Sequence, residues 1–130
     1  METCIETKYF GNNQSAIVSP LNTELLNADS EKFRPIDFLI GGYGSCMMNV
    51  MDKVAGESGF SLSEARTEIN YEPLPDMSRL KIINIKCYIQ KDDYSDEQKH
   101  VLETAATKMC PVGNSLNPEI ERTYHFIYGK

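Results

Sequence analysis

The sequence predicts an α+β fold, an antiparallel sheet with two central helices. Three observations carry that prediction. Residues 34–59 repeat apolar side chains at three- and four-residue intervals, the helical period. Residues 62–73 and 79–91 alternate instead, as strands with one buried face do. A second helical stretch, opened by a capping signature, separates these strands from a last alternating segment. The resulting order, strands, long helix, two strands, helix, strand, segregates helices from sheet.

The elements follow in chain order. Residues 7–18, TKYFGNNQSAIV, read as a hairpin around Gly11-Asn12-Asn13. LNTELLNADSEKF, 21–33, reads as an irregular connection. RPIDFLIGGYGSCMMNVMDKVAGESG reads as one helix, with Pro35 in its first turn and Gly56 or Gly59 as its stop. Leu39, Tyr43, Cys46, Met47, Val50, Met51 and Val54 form its apolar stripe. Gly41, Gly42 and Gly44 each cost roughly 1 kcal/mol relative to alanine inside a helix. That cost predicts close approach of another backbone, and so a central place for the helix. Such an apolar helix also exceeds what a small sheet covers, which points to a dimer.

In LSEARTEINYEP, Ala65, Thr67, Ile69 and Tyr71 share one face of a strand, and Glu64, Arg66, Glu68, Asn70 and Glu72 the other. Pro73, Pro75 and Asp76 make a turn. RLKIINIKCYIQK follows as its antiparallel partner, with Ile83, Ile85, Cys87 and Ile89 facing one way. Ser95 and Gln98 form a capping box for the second helix, whose stripe is Val101, Leu102, Ala105, Ala106 and Met109. Pro111 stops it, and PVGNSLNP can start a further short turn. EIERTYHFIYGK is the last strand, with Ile120, Tyr124, Phe126 and Tyr128 alternating.

The bulk numbers narrow the function classes. The 130 residues are one domain's worth, and 41% apolar residues suffice for a core. A net charge of −6 argues against a nucleic-acid partner, which calls for a basic surface. No run approaches the ~18 apolar residues of a membrane helix. METCIETKYF lacks the basic-then-apolar pattern of a secretory leader. The expectation is a cytoplasmic protein with no membrane partner. In that reducing compartment Cys4, Cys46, Cys87 and Cys110 are free thiols, not a disulfide framework. There is no C-x-x-C, and His100 and His125 stand away from every cysteine, so no metal site is expected.

Cys4 reads as an incidental thiol of the chain end, and Cys87 as a small hydrophobe in its strand. Cys46 lies mid-helix among glycines and methionines. Cys110 precedes Pro111 and would be the N-cap of a new short helix, where free N–H groups and the dipole lower a thiol's pKa. Buried filler and reactive thiol both remain open for these two, and only the tertiary fold can bring them together. Asp37 reads as a stabiliser of the helix start and Arg34 as a solvated charge. Asp37 is about 13 Å along the axis from Cys46, too far for contact within the helix. Met47, Met48 and Met51 read as adaptable packing or a pocket for greasy substrates.

PIDFLIGGYGSCMMNVM resembles the central-helix motif of the OsmC/Ohr family, the osmotically inducible and organic hydroperoxide resistance proteins. There a proline opens a helix, and a cysteine follows a run of apolar and small residues. CPVGNSL resembles the family's second motif, in which Cys-Pro-Val begins a short helix. The order of elements agrees as well, so the resemblance spans nearly the whole chain. It implies a single OsmC-like domain over 1–130 and an intertwined homodimer with two active sites at the subunit interface. It also implies a thiol-dependent peroxidase for small organic hydroperoxides, serving the oxidative stress response. Cys46 matches the peroxidatic cysteine and Cys110 the resolving one. No bound cofactor is implied, only an external dithiol reductant of lipoyl type.

The peroxidase members hold the catalytic thiolate with a glutamate at the helix start and an arginine from the N-terminal region. Here Ile36 follows Pro35, and Asp37 comes one place later, rotated by about 100° around the helix. The first thirty residues contain no arginine, and Arg34 does not match by position. The charge-control pair is therefore not carried over. The alternative is an OsmC-like redox-sensing or small-molecule-binding protein without efficient turnover.

Overall fold

The computed structural model describes residues 4–21, 24–29 and 31–130. The architecture is α+β, in two compact units that meet in sequence at Gly41/Gly42, inside the long helix.

The N-terminal unit holds a three-stranded antiparallel sheet in the order β1 (Glu6–Gly11), β2 (Gln14–Val18), β3 (Leu25–Ala28). Asn12 and Asn13 both take left-handed φ, 55° and 61°, which is what a tight two-residue hairpin turn requires. The hairpin expected from Gly11-Asn12-Asn13 is therefore present. Strand β3 is not expected, since it lies in the segment that reads as irregular. Leu25-Leu26-Asn27-Ala28 has no alternation of its own and becomes a strand by pairing with β2. Residues 22, 23 and 30 of that segment lie outside the described residues.

The long helix α1 spans Pro35–Glu57. The Asp37 carboxylate accepts the Arg34 backbone N–H at 2.9 Å and meets the Arg34 guanidinium at 3.3 Å. This satisfies one of the free donors at the helix start. The helix ends in a Schellman motif. Gly59 takes φ 86°, Phe60 N–H donates to Ala55 C=O at 3.0 Å, and Gly59 N–H donates to Gly56 C=O at 3.2 Å.

The C-terminal unit contains the rest of α1, β4 (Ala65–Pro73), β5 (Leu80–Ile89), α2 (Asp96–Lys108), α3 (Pro111–Ser115) and β6 (Glu121–Tyr128). Its core is built from Tyr43, Met47 and Met51 of α1, Ile83, Ile85, Cys87 and Ile89 of β5, and Leu102 of α2, all fully buried. These are the faces that the helical and strand periods select. Leu39, expected in the stripe of α1, is 40% exposed instead. The capping box of α2 forms in full, with Ser95 N–H donating to Gln98 Oε1 at 2.9 Å and Gln98 N–H to Ser95 Oγ at 3.1 Å.

Two further expectations are corrected. Among the described residues nothing lies within 4 Å of a Cβ built at Gly41 or Gly42, so the expected close backbone is not found there. Gly44 does meet a close neighbour, but it is a side chain: a Cβ there would lie 2.6 Å from Thr67 Oγ1 of β4. The second sheet, in the order β4-β5-β6, is mixed. β4 and β5 form the expected antiparallel hairpin, whereas β6 runs parallel to β5. The chain between them carries α2 and α3, long enough for the crossover that a parallel pair needs. No described helix is long and apolar enough to cross a membrane.

Candidate active site

The site grows from the junction of α2 and α3. Pro111 occupies the first position of α3, where its missing N–H costs nothing and its fixed φ suits the helix. Cys110, with extended backbone at φ −76° and ψ 115°, is the N-cap. Its Sγ accepts the Gly113 backbone N–H at 3.5 Å, and the residue is 2% exposed. On α1, Cys46 follows the buried Tyr43 by three residues and precedes the buried Met47, which leaves it half-buried at the margin of the core.

The fold brings these two free thiols together. Burial raises the pKa of Cys110, the Gly113 N–H lowers it, and the neighbouring Cys46 thiol raises it through a hydrogen bond and its charge. The N-cap anticipated from the Cys-Pro pair is present, but its expected effect is outweighed. Desolvation opposes the thiolate more strongly than the Gly113 and Val112 N–H groups favour it, and the net direction for Cys110 is upward. Of the pair, Cys46 is the more exposed, and Cys110 is the one whose pKa burial pushes up.

A polar cluster links neighbours of the two cysteines, Tyr43 on α1 and Gly113 on α3, to β6. The Tyr43 and Tyr124 hydroxyls lie 2.7 Å apart. Burial and this contact raise the pKa of Tyr43, and the nearby Arg122 guanidinium opposes the rise. Arg122 Nη1 donates to Gly113 C=O at 2.7 Å and Nη2 to Asn117 C=O at 3.5 Å, with the guanidinium carbon 5.8 Å from the Tyr43 ring centroid. Among the described residues no carboxylate pairs with Arg122. Arg122 and Tyr124 also line a cavity of about 320 Å³ together with Thr107, Gly113, Asn114 and Leu116.

Sequence reasoning missed Arg122. The available signal was its register: it lies two residues from Tyr124 and shares that residue's strand face, a basic side chain in a core-facing position. Arg34 and Asp37, weighed as charge-control candidates, are engaged with each other at the start of α1. Arg34 N–H, before its guanidinium, holds the Asp37 carboxyl below the ordinary range. Cys4 is exposed. Cys87 is fully buried in β5, and desolvation pushes its pKa to about 11, the behaviour of an inert packing thiol.

Comparison with known proteins completes the picture. No curated protein matches the chain in sequence. A putative osmotic stress induced and detoxification response protein from Psychrobacter arcticus is similar in structure, with a TM-score of 0.85, 18% identity, and 97% of this chain and 96% of that one covered. An OsmC-like protein from Mycoplasma pneumoniae gives 0.78 at 15% identity, covering 98% of each chain. The organic hydroperoxide resistance protein OhrB of Bacillus subtilis gives 0.69 at 14% identity, covering 95% of this chain and 97% of that one. At such identities these likenesses establish a shared fold. The family model described as OsmC-like protein matches residues 28–125, a span that includes both cysteine motifs, and by that match the chain belongs to the OsmC-like family.

Proposed function

We propose that the protein is a thiol-dependent peroxidase that reduces organic hydroperoxides through Cys46 and Cys110. The observation that carries this reading is the mutual interaction of two thiols drawn from distant segments of the chain. The half-buried Cys46 attacks as thiolate, the nucleophilic form. Its sulfur bonds to the distal peroxide oxygen, the O–O bond breaks, and the alkoxide leaves and takes up a proton as the alcohol. Cys46 is then a sulfenic acid. The Cys110 thiol condenses with it, forming the disulfide and releasing water. An external dithiol, of lipoyl type in this reading, takes over the disulfide bond and returns both cysteines to thiols. The site requires no bound cofactor.

A homodimer fits the same reading. Ile5, Tyr9, Phe10, Leu25, Leu26 and Phe33 of the N-terminal unit are large, apolar and about half or more exposed, an arrangement that a second copy would cover. Similarity to the organic hydroperoxide resistance protein supports the choice of substrate class.

One observation favours a second reading, redox sensing or small-molecule binding without efficient turnover. The acidic residue at the start of α1 is committed to Arg34, and Ile36 stands where the resemblance expects a glutamate. Purified protein with an alkyl hydroperoxide and a dithiol decides between them. Steady consumption that Cys46→Ser abolishes supports the peroxidase. A Cys46–Cys110 disulfide that forms without steady consumption supports sensing.

A further inference from the structure

We propose that Arg122 is the positioning residue of the thiol pair: by clamping the carbonyl end of α3, it holds Cys110 against Cys46. This rests on the reading of the two cysteines as one redox pair. Helix α3 has five residues, and a helix that short does not hold together in water on its own. Its place must come from side chains. At its N-terminus the Cys110 sulfur accepts the Gly113 N–H. Asn114 Nδ2 ties its middle back to Lys108 C=O at 3.0 Å. Arg122 reaches two carbonyls, that of Gly113 within the helix and that of Asn117 two residues past its end.

The Arg122 anchor differs from the others in three ways. A cation beside the carbonyls of a helix's last turn complements the negative end of its dipole. Hydrogen bonds from a guanidinium are charge-assisted and stronger than neutral ones. Arg122 also sits on a strand whose register is set, opposite Ile83 of β5, so the clamp is referred to the sheet and not to another loop. Two residues along, Tyr124 reaches the hydroxyl of Tyr43, one turn before Cys46 on α1. One short segment of β6 thus ties both cysteine-bearing elements to the same sheet edge. A half-buried guanidinium with no carboxylate partner among the described residues is accounted for by this task.

The test is an equilibrium that needs no peroxide. Protein dithiol and glutathione disulfide exchange to the Cys46–Cys110 disulfide and two glutathione thiols, so two electrons and two protons pass to glutathione. The effective concentration of the pair is read by acid quenching and peptide mass mapping in glutathione buffers. Arg122→Met is expected to lower it about tenfold or more, the loss of one charge-assisted bond, and Arg122→Lys to restore part of it. Cys87 serves as the internal control. A general loosening exposes this buried thiol to alkylation, whereas lost positioning leaves it protected. An effective concentration within twofold of the parent, or above it, overturns the proposal. Should Arg122→Met not fold, Arg122→Gln, which keeps a neutral donor, is measured against the same limits. A parent pair that forms the disulfide but consumes no hydroperoxide sinks the peroxidase reading and leaves the role of Arg122 standing. A parent pair that never closes overturns both.

Discussion

Gly113 rests on the ring of Tyr43 so closely that a Cβ at that position would lie 2.8 Å from Cε1 and 3.1 Å from both Cζ and the hydroxyl oxygen. Tyr43 is fully buried and its hydroxyl is engaged with Tyr124, so the ring has little room to yield. Helix α3 can approach α1 this closely only with glycine at 113. Gly113→Ala is therefore expected to destabilise the protein by about 1–3 kcal/mol, the range for overpacking. It should also slow closure of the Cys46–Cys110 disulfide, because relief of the clash moves α3 away from α1. Denaturant titration measures the first effect and quenched mass mapping the second. An alanine variant as stable as the parent contradicts the rigid fit.

The two cysteines are expected to fail differently. Cys46→Ser should remove hydroperoxide consumption altogether. Cys110→Ser should retain the first oxidation, with a sulfenic acid accumulating at Cys46 because its partner thiol is gone. A sulfenic-acid trap followed by mass spectrometry distinguishes the two. Trapping at Cys110 in the Cys46→Ser variant would reverse the assigned roles.

Cys87 carries a pH prediction. Its folded pKa of about 11 lies above the ordinary thiol value near 9, because burial opposes the charged form. The folded state then holds its proton more tightly than the unfolded chain. The associated stability is fully present below pH 9 and declines as pH rises from 9 towards 11. The full effect is on the order of 2 kcal/mol. Other groups titrate in the same window, so the measurement is the difference in pH slope between the parent and Cys87→Ala. Equal slopes would refute the assignment.

The glycines of α1 should part company. Among the described residues nothing lies within 4 Å of a Cβ at Gly56, and Gly56→Ala is expected to stabilise by about 0.5–1 kcal/mol through helix propensity. Gly44→Ala gains the same propensity but meets Thr67 Oγ1 at 2.6 Å and Ile69 Cδ1 at 3.4 Å. It should come out destabilising by roughly 1 kcal/mol and revert towards neutral in a Thr67→Ala background. Thermal denaturation of the parent, both single variants and the double variant closes this cycle.

Several features are legible in the sequence because they are written in a few neighbouring residues. The capping box is one donor and one acceptor three positions apart, Ser95 and Gln98. The hairpin turn is two asparagines that tolerate left-handed backbone. The buried face of β5 is an alternation over Ile83, Ile85, Cys87 and Ile89, and all four positions are fully buried. The start of α1 is legible in Pro35 and Asp37 for the same reason. Strand β3 is not, because Leu25–Ala28 carries no period of its own and its identity comes from β2 alongside.

The direction of β6 and the company of Cys110 belong to a different class. The last strand alternates whichever way it runs, and only the path of α2 and α3 sets it parallel to β5. The Cys-Pro pair announces an N-cap, and the N-cap is there. Whether that cap makes the thiol acidic depends on a competition between the Gly113 and Val112 N–H groups and the dryness of the surroundings. Dryness is contributed by segments far away in the chain, and it prevails. Arg122 illustrates the same division. Its strand register is readable, but its two carbonyl partners and the ring of Tyr43 come from other elements. Hydrogen bonding along the backbone acts over three or four residues, so sequence alone determined the helices, the caps and most of the strands. Burial and charge are summed over everything that packs nearby, so only the tertiary structure decided that Cys46 and Cys110 meet, and that the pKa of Cys110 is pushed up.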